Sequence, residues 1–321
     1  MSALNNDLYW AIKAMAEELS FADFGSVPAG TVSQLCSNSY TKAMENGYFA
    51  DMHYLNRNIE KRFNPTLLVE GAKSILVFLA PYSLPDNFIP PAGISQYALG
   101  LDYHKVIKDK LFLIMEFLAS QCKDFQGRAF TDSAPVMERE WAVKAGLGFI
   151  GKNNFLISKR CGIKNFIGVI LCNAEIPSTM EMEPCKREET CGECGECKKC
   201  LLECPTGALC APYTIDARKC LSYHTIENRK LEKSLENGAI DNLHGKLFGC
   251  DNCSNACPWN SRNLPGWEEF RTNCTNLGEI CWDSITEDNF KQTFKDSPLL
   301  RGGLKNIQTA FRWGNKRKGN G

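Results

Sequence analysis

The stretch "CGECGECKKCLLECP", residues 191–205, places a cysteine at every third position four times and adds a fifth before a proline. One iron–sulfur cubane takes four thiolates, and the bacterial ferredoxin run is C-x2-C-x2-C-x3-C-P. Only a run that begins at Cys194 has this spacing, because its fourth cysteine, Cys204, is the one followed by proline. Cys191 is therefore the surplus cysteine.

A second run, "CDNCSNACPWN" (250–260), again ends its cysteines with Cys-Pro. In the ferredoxin pattern, the cysteine that follows three intervening residues ligates the other cluster. The second run lacks one close cysteine, and Cys220 in "DARKCLSYHTIENRK" is the best substitute. The exchange predicts two 4Fe–4S clusters, the first held by Cys194, Cys197, Cys200 and Cys257 and the second by Cys204, Cys220, Cys250 and Cys253.

Two other uses of these cysteines compete with this prediction. C-x2-C pairs also bind zinc, although zinc explains neither the x3 spacing nor the Cys-Pro ending. Disulfide frameworks belong to small secreted domains, whereas this chain has 321 residues and an odd number of cysteines, 17. Three further cysteines, Cys185, Cys191 and Cys210, lie close enough in sequence to compete with Cys220 as the eighth ligand.

Length and charge limit the classes of protein to which this chain can belong. The chain is long enough for two domains with a small appendage. Its 37 Lys and Arg balance 37 Asp and Glu, so a polyanionic partner must be held by a local patch. The sequence has no apolar run of about 18 residues and no basic leader into an apolar stretch. We expect a cytoplasmic protein that does not enter membranes.

The apolar patterns predict the main elements. "SILVFLAPY" (74–82) and "NFIGVILC" (165–172) indicate buried strands, and residues 104–122 indicate a long amphipathic helix. Residues 127–145 indicate a short strand, a turn and a helix. After Pro177 the composition changes to Glu, Lys and Cys. The sequence predicts an α+β fold in three parts, which are an α/β domain (1–180), a ferredoxin-like two-cluster domain (181–265) and a short helical extension with a basic tail (266–321).

"GLGFIG" (146–151) matches the dinucleotide-binding fingerprint letter for letter. That fingerprint needs a strand before it and a helix after it. Here a helical pattern precedes the glycines, and "KNNFLIS" predicts a turn into a strand. We interpret the segment as a turn with positive φ at its glycines rather than a nicotinamide site, with close approach to a different large ligand as the alternative.

Two polar residues stand out in the first domain. Asp132 lies between a predicted strand and a predicted helix, where the residues alone favour an N-cap over a catalytic acid. His104 begins a predicted helix, and the histidines show no metal-ligand spacing, so we expect a structural role for it. A simple electron carrier would not need about 180 residues ahead of its clusters. The clusters are therefore expected to deliver electrons to something inside the first domain.

The sequence resembles the epoxyqueuosine reductases, which finish queuosine in tRNA, from about residue 50 to Asn260. The resemblance is carried by segments in matching order, which are "RFNPTLLVEGAKSILV", "QYALGLDYHK", "DSAPVMERE", "KAGLGFIGKN", "CGECKKCLLECPTGA", "CLSYHTIE" and "GCDNCSNACPWN". The Asp-Ser-Ala-Pro and Gly-Lys-Asn segments are more specific than the cysteines, which many ferredoxin-like proteins share.

The resemblance implies cobalamin bound base-off between a nitroreductase- and reductive-dehalogenase-like first domain and the two-cluster domain. The D-x-H-x-x-G motif of base-on cobalamin proteins is absent, since "DYHKVI" (102–107) and "DMHYLN" (51–56) lack its glycine. Asp132 matches the family's proton donor, and we expect a buried carboxyl with a raised pKa there. The matching segments also supply candidate cofactor-binding residues, namely Arg62, Tyr97, Asp102, Tyr103, His104, Lys152, Asn153 and Ser222.

The resemblance implies a tRNA substrate, the anticodon stem-loop of queuosine tRNAs, and an external low-potential electron donor. Many family members continue into helical repeats that help hold tRNA, whereas residues after Asn260 here resemble only the start of such a region. A local basic patch is the expected phosphate contact, with a solvated tail as the alternative; it is formed by Arg301, Lys305, Arg312, Lys316, Arg317 and Lys318. The alternatives are a corrinoid reductase acting on a small molecule, as in dehalogenation, and a two-cluster electron carrier without its own substrate.

Overall fold

A computed structural model describes residues 3–85, 91, 93–183, 193–272 and 277–318, with only the backbone at 3–5 and 316–318. The strands are β1 Asp23–Pro28, β2 Ser74–Pro81, β3 Gly127–Phe130, β4 Phe149–Ile150, β5 Leu156–Ile157, β6 Asn165–Cys172, β7 Leu209–Ala211 and β8 Thr214–Ile215. The helices of the first half are α1 Ala3–Glu18, α2 Gln34–Glu45, α3 Ile59–Phe63, α4 Tyr103–Gln121, α5 Glu138–Lys144 and α6 Thr179–Met182. Those of the second half are α7 Lys199–Leu202, α8 Leu221–Ile226, α9 Leu231–Glu236, α10 Asn252–Asn255, α11 Glu287–Thr293 and α12 Leu304–Lys318.

Short 3-10 turns connect several of these elements. They lie at His53–Asn56, Pro65–Leu68, Gln96–Ala98, Ala217–Lys219, Pro258–Arg262, Glu268–Phe270 and Pro298–Arg301.

A four-stranded sheet organises the first half, in the order β1-β2-β6-β3 with every neighbouring pair antiparallel. The two apolar runs predicted as buried strands form β2 and β6 at its centre, and every residue of β2 is buried. Alternate side chains of a strand point to opposite faces, so a continuous apolar run is expected where both faces are covered. The α+β prediction is confirmed.

Each face of the sheet has its own core. Leu76 and Phe78 of β2 pack with α1 and α4 on one face, and the alternate residues Ile75 and Val77 pack around Trp141 of α5 on the other. Helix α4 places Ile107, Leu111, Ile114 and Leu118 against the sheet at helical spacing, each fully buried. The long amphipathic helix predicted over 104–122 therefore spans 103–121.

The cysteine-rich second half has a hydrophobic core despite its thin apolar content. Helices α8 and α9 pack with Phe290 and Phe294 of the C-terminal extension, both 1% exposed. Residues 94–99 of the first half belong to the same core through Ile94, Ala98 and Leu99. The core thus spans two of the three predicted domains and borrows from the first, and the predicted division at 180 and 265 stays a prediction.

The "GLGFIG" segment follows helix α5 and enters a two-stranded hairpin, β4–β5, as the sequence predicts. Gly146 has a positive φ of 74°. Gly148 meets a different need, because an added Cβ would lie 2.2 Å from the carbonyl oxygen of Ile157. The glycines therefore serve a turn and a close hairpin contact.

Within the described ranges, the helices are all too short or too polar to cross a bilayer.

Candidate active site

Three cysteines of one short segment and a fourth that is distant in sequence line one cavity of about 50 Å³. They are the four predicted for the first cluster: Cys194, Cys197, Cys200 and Cys257. An apolar shell of Phe149, Ile157, Ile163 and Trp259 surrounds the Cys194 and Cys257 side of the cavity. Burial, followed by neighbouring thiolate charge, raises the pKa of both Cys200 and Cys257. Metal binding would stabilise the thiolate form of these crowded, buried cysteines, because the thiolate is the form that binds metal.

The four cysteines predicted for the second cluster also neighbour one another. Burial raises the pKa of Cys253 far above its usual range, and the thiolate charges of Cys220, Cys250 and Cys204 add to the effect. Burial alone would raise the pKa of Cys204 too. Backbone N–H groups of Leu209, Thr206 and Ala208 and the Thr206 hydroxyl outweigh it and lower that pKa. Converging N–H donors on sulfur are a means of tuning iron–sulfur clusters.

The two cysteine sets are interleaved. Helix α7, with Cys200, packs against α10, with Cys253, and Cys257 follows α10 to reach the first set. Nowhere in the described ranges do three His, Cys, Asp or Glu side chains converge closely enough for a single metal ion. The four cysteines of the first set instead line the cavity of about 50 Å³. Of the competing cysteines, Cys210 is exposed with its sulfur 3.7 Å from the Thr214 oxygen, while Cys185 and Cys191 lie outside the described residues.

Asp132 lies beside two tyrosines at the end of the sheet. The Tyr103 hydroxyl donates a hydrogen bond of 2.5 Å to Asp132 Oδ2. The ring centroid of Tyr97 is 6.1 Å from that of Tyr103, in an edge-to-face arrangement. Burial raises the pKa of both tyrosines, and the Asp132 charge raises each further, so their hydroxyls stay protonated. We call the space bordered by Tyr97, Tyr103 and Asp132 the chamber.

The backbone of Asp132 adopts an unusual conformation. Its φ is 53°, in the left-handed region that non-glycine residues rarely occupy. Helix α5 begins six residues later, with Met137 at its N-cap, so Asp132 does not cap this helix. Its side chain is also exposed, which differs from the buried carboxyl expected from the sequence. The site therefore depends on a strained turn at the sheet edge.

A second carboxyl, Glu138, lies against the Asp132 turn. Glu138 Oε1 accepts a hydrogen bond of 2.6 Å from the Asp132 backbone N–H. Burial, followed by the negative charge of Asp132, raises the pKa of Glu138 to about 8. Sequence reasoning did not select Glu138, although the quoted "DSAPVMERE" segment contains it. Its only signal there was proximity to Asp132.

The segment before Tyr97 connects the chamber to the second cysteine set. The Asp251 carboxylate, next to Cys250, accepts hydrogen bonds from the Ser95 hydroxyl and, at 2.7 Å, from the Gln96 N–H. Gly249 permits this contact, because its φ is 73° and an added Cβ would lie 2.5 Å from Ser95 Cβ. The second cysteine set is therefore joined to the chamber wall through Asp251.

The remaining candidate cofactor residues have varied surroundings. Arg62 is 9% exposed and its Nη2 donates to the Tyr54 carbonyl oxygen at 3.2 Å, while its buried Nε lacks a partner among the described residues. Asp102 caps α4, and its Oδ1 lies 2.7 Å from His104 Nδ1. The His104 ring stacks on Tyr103 with centroids 4.1 Å apart. His104 and Asp102 thus adjoin Tyr103, whereas Arg62 contacts Tyr54 and Tyr40.

Lys152, Asn153 and Ser222 contact the cysteine segments instead. Lys152 N–H points to the Cys194 sulfur at 3.4 Å, and its Nζ donates to the Cys197 carbonyl oxygen at 3.0 Å. Asn153 Nδ2 donates to the Cys253 carbonyl oxygen at 3.1 Å. The Ser222 N–H is directed at the sulfur of Cys220. Their assignment to a cofactor pocket stays a prediction.

The expected basic patch is largely neutralised where its side chains are described. Arg301 makes a two-pronged contact with Glu227 at 3.0 and 2.9 Å, and Arg312 lies 2.7 Å from Asp283. Lys305 lies 3.5 Å from Glu232. The side chains of Lys316, Arg317 and Lys318 fall outside the described set.

Two family models match the chain, "4Fe-4S double cluster binding domain" over residues 193–260 and "Epoxyqueuosine reductase QueG, DUF1730" over residues 62–133. A relative named epoxyqueuosine reductase, from Leadbetterella byssophila, is 37% identical over 300 residues, covering 92% of this chain and 95% of that protein. The chain belongs to the epoxyqueuosine reductase family. It is accordingly an oxidoreductase with an iron–sulfur double-cluster region.

Solved structures agree with this membership. A selenomethionine-labelled epoxyqueuosine reductase superposes with a TM-score of 0.81 at 25% identity, covering 96% of this chain and 82% of that one. Another epoxyqueuosine reductase, solved with an epoxyqueuosine-modified tRNA-Tyr stem loop, has a TM-score of 0.80 at 24% identity over 96% of this chain and 81% of that one. The epoxyqueuosine reductase fold therefore extends over nearly the whole chain.

Proposed function

We propose that this protein reduces epoxyqueuosine to queuosine in the anticodon loop of tRNA. The reaction breaks both C–O bonds of the epoxide, forms a carbon–carbon double bond and releases the oxygen as water. It consumes two electrons and two protons. Family membership supports this assignment, and the observation that carries it is an acid–tyrosine pair, Asp132 and Tyr103. Tyr97 packs against Tyr103 and follows Gln96, whose N–H donates to Asp251 next to Cys250.

Two 4Fe–4S clusters would deliver the electrons one at a time. Cys194, Cys197, Cys200 and Cys257 would hold the first, and Cys204, Cys220, Cys250 and Cys253 the second. The hydrogen bonds from Ser95 and Gln96 to Asp251 support electron exit from the second cluster toward the chamber. Because the clusters only relay electrons, a low-potential donor from outside the chain must supply them.

Base-off cobalamin is the proposed occupant of the chamber. Bound there, it would supply two-electron chemistry at a cobalt centre beside the substrate. The residues fit a large, hydrogen-bonding ring, since Tyr97 and Tyr103 offer aromatic surface and Arg62 has a buried Nε lacking a partner among the described residues. Asp102 and His104 would complete this wall, with Ser222 on the cluster side.

Asp132 is the proposed proton donor. Asp132 Oδ2 already accepts a hydrogen bond from the Tyr103 hydroxyl. The other carboxyl oxygen, Oδ1, is therefore the proposed carrier of the proton to be transferred. Tyr103 orients the carboxyl, and burial keeps the tyrosine itself protonated. Delivery of this proton to the departing oxygen would supply one of the two protons needed for water to leave, as general acid catalysis requires. The second would come from solvent, to which Asp132 is exposed.

The decisive experiment measures modified nucleosides in tRNA from a strain lacking this protein. We expect epoxyqueuosine to accumulate, wild-type protein to restore queuosine, and Asp132→Asn to fail while retaining iron. Normal queuosine in the deletion strain would refute the proposal. Cobalamin binding together with reductase activity that ignores the RNA would instead identify a small-molecule corrinoid reductase.

A further inference from the structure

We propose that Glu138 is a positioning residue that holds the Asp132 turn in its reactive orientation. This inference rests on the proposed role of Asp132 as proton donor. It concerns the backbone of the turn, whereas Tyr103 acts on the Asp132 side chain. Two separate restraints thus act on one residue.

The turn is fixed at two points. On one side, the Thr131 hydroxyl donates to the Ile167 carbonyl oxygen of β6 at 2.9 Å, and Thr131 is 1% exposed. On the other side, the Asp132 N–H donates to Glu138 Oε1 at 2.6 Å. Between them lies Asp132 with its φ of 53°. A left-handed non-glycine residue persists only where the surrounding structure holds it, and the hydrogen bond to the Glu138 carboxyl oxygen provides that hold.

The side chains around Glu138 make this contact specific. The neighbouring cations are otherwise engaged, since Arg139 donates to the Asn154 carbonyl oxygen and Lys108 Nζ donates to the Ser133 hydroxyl at 3.1 Å. The charged groups that act on Glu138 are Asp132, Arg139 and Lys108. The Glu138 carboxyl is therefore largely desolvated, and among the described residues it accepts one hydrogen bond, from the Asp132 backbone N–H. Burying a carboxyl for so few contacts is costly, which favours a role beyond starting helix α5.

Glu140 provides a matched control. It lies in the same first turn of α5, and its Oε1 also accepts a backbone N–H, that of Ser33 at 2.9 Å. That contact ties α5 to the start of α2 and does not touch the Asp132 turn. Replacing either glutamate removes one carboxyl and one hydrogen bond of the same kind.

The test uses holoenzyme variants E138A, E138Q and E140A on an epoxyqueuosine-bearing anticodon stem-loop. We expect E138A to lower kcat by about 100-fold with KM changed less than about two-fold, because misplacing a reacting group costs rate more than binding. E138Q should stay within about five-fold of wild type, since its amide oxygen still accepts the N–H. E140A should keep wild-type turnover.

Amide hydrogen exchange of residues 131–137 supplies a readout independent of turnover. We expect it to accelerate in E138A and not in E140A or E138Q, with iron content unchanged in all three. Wild-type kcat and exchange in E138A would overturn the inference. So would equal inactivity of E138A and E138Q without faster exchange. If Asp132→Ala retained full activity, the proposed function of Asp132 would fall instead, while the exchange data would still report on the turn.

Discussion

The two halves of the molecule achieve stability in different ways. The first half packs a four-stranded sheet between helices, and its central strands carry fully buried side chains such as Phe78. The cysteine-bearing part of the second half uses helices α7 to α10, of four to six residues, around eight cysteines, with Phe294 from the extension completing its core. The first half thus buries its surface without a metal, whereas the core of the second half adjoins its cysteines through residues such as Leu221 and Phe248.

Breaking the second cysteine set should produce the largest effect. Cys253→Ser should reduce iron from about eight to about four atoms per chain, since one cubane loses a ligand. The measurement is iron and acid-labile sulfide per chain after anaerobic purification. Exposed Cys210→Ser is the control and should retain all the iron. Zinc in place of iron, or unchanged iron in Cys253→Ser, would contradict the assignment.

A matched pair of core truncations tests whether the halves differ in metal dependence. Phe78→Ala and Phe294→Ala each remove a fully buried ring and should each cost about 3–5 kcal/mol in free energy of unfolding. Only Phe294→Ala should also lower iron retention, because its core includes Phe248 and Leu221 next to the cysteines. Denaturant titration with parallel iron assays measures both. Equal iron in the two variants would show that the cysteine sites are independent of this core.

The contact between the two halves at Gly249 and Ser95 can be tested by substitution at Gly249. Gly249→Ala should destabilise by about 1–3 kcal/mol, through left-handed strain and a clash with Ser95. Gly245→Ala is the control for strain alone, since Gly245 has a φ of 72° and nothing within 4 Å of an added Cβ. Thermal unfolding of both variants gives the cost of the contact as their difference. Equal destabilisation of the two variants would show that Ser95 moves away from the added methyl group at no cost in stability.

The first half should also show its own pH dependence, centred on Glu138. A carboxyl whose pKa rises from 4.5 to about 8 on folding favours the protonated form. Its ionisation therefore destabilises the fold progressively as pH rises from about 4.5 to 8. We expect E138Q to gain Tm relative to wild type over that range, with little further gain above it. The expectation fails if the Tm difference is constant from pH 5 to 8.5.

The smallest effect should come from the surface ion pairs of the extension. Arg312→Ala removes a half-exposed pair with Asp283 and should change the free energy of unfolding by less than about 1 kcal/mol. The change should shrink further at high salt, as denaturant titrations in 0.05 and 0.5 M salt would show. A loss of more than about 1 kcal/mol in the free energy of unfolding would mean that the surface around Arg312 and Asp283 stabilises the core.

The sequence was most informative where spacing is tied directly to chemistry. The cysteine spacing selected four residues that line one cavity and four more that neighbour one another, and their ligand roles stay a prediction. Apolar runs predicted β2, β6 and α4 almost to the residue. It was less informative about polar side chains. Asp132 was expected to be buried and is exposed. The basic patch was expected to contact phosphates, and its Arg301 and Arg312 are paired with carboxylates. Those partners lie 74 and 29 residues away in sequence, so no local pattern indicates them.

The sequence by itself determined the buried strands and the strand that follows "GLGFIG", because periodicity is a local property of the chain. Only the tertiary structure decided that the second cysteine set adjoins the chamber, that Glu138 holds the Asp132 turn and that residues 94–99 belong to the second core. These features depend on hydrogen bonds and packing between segments remote in sequence, and their free energies exist only once the chain has folded.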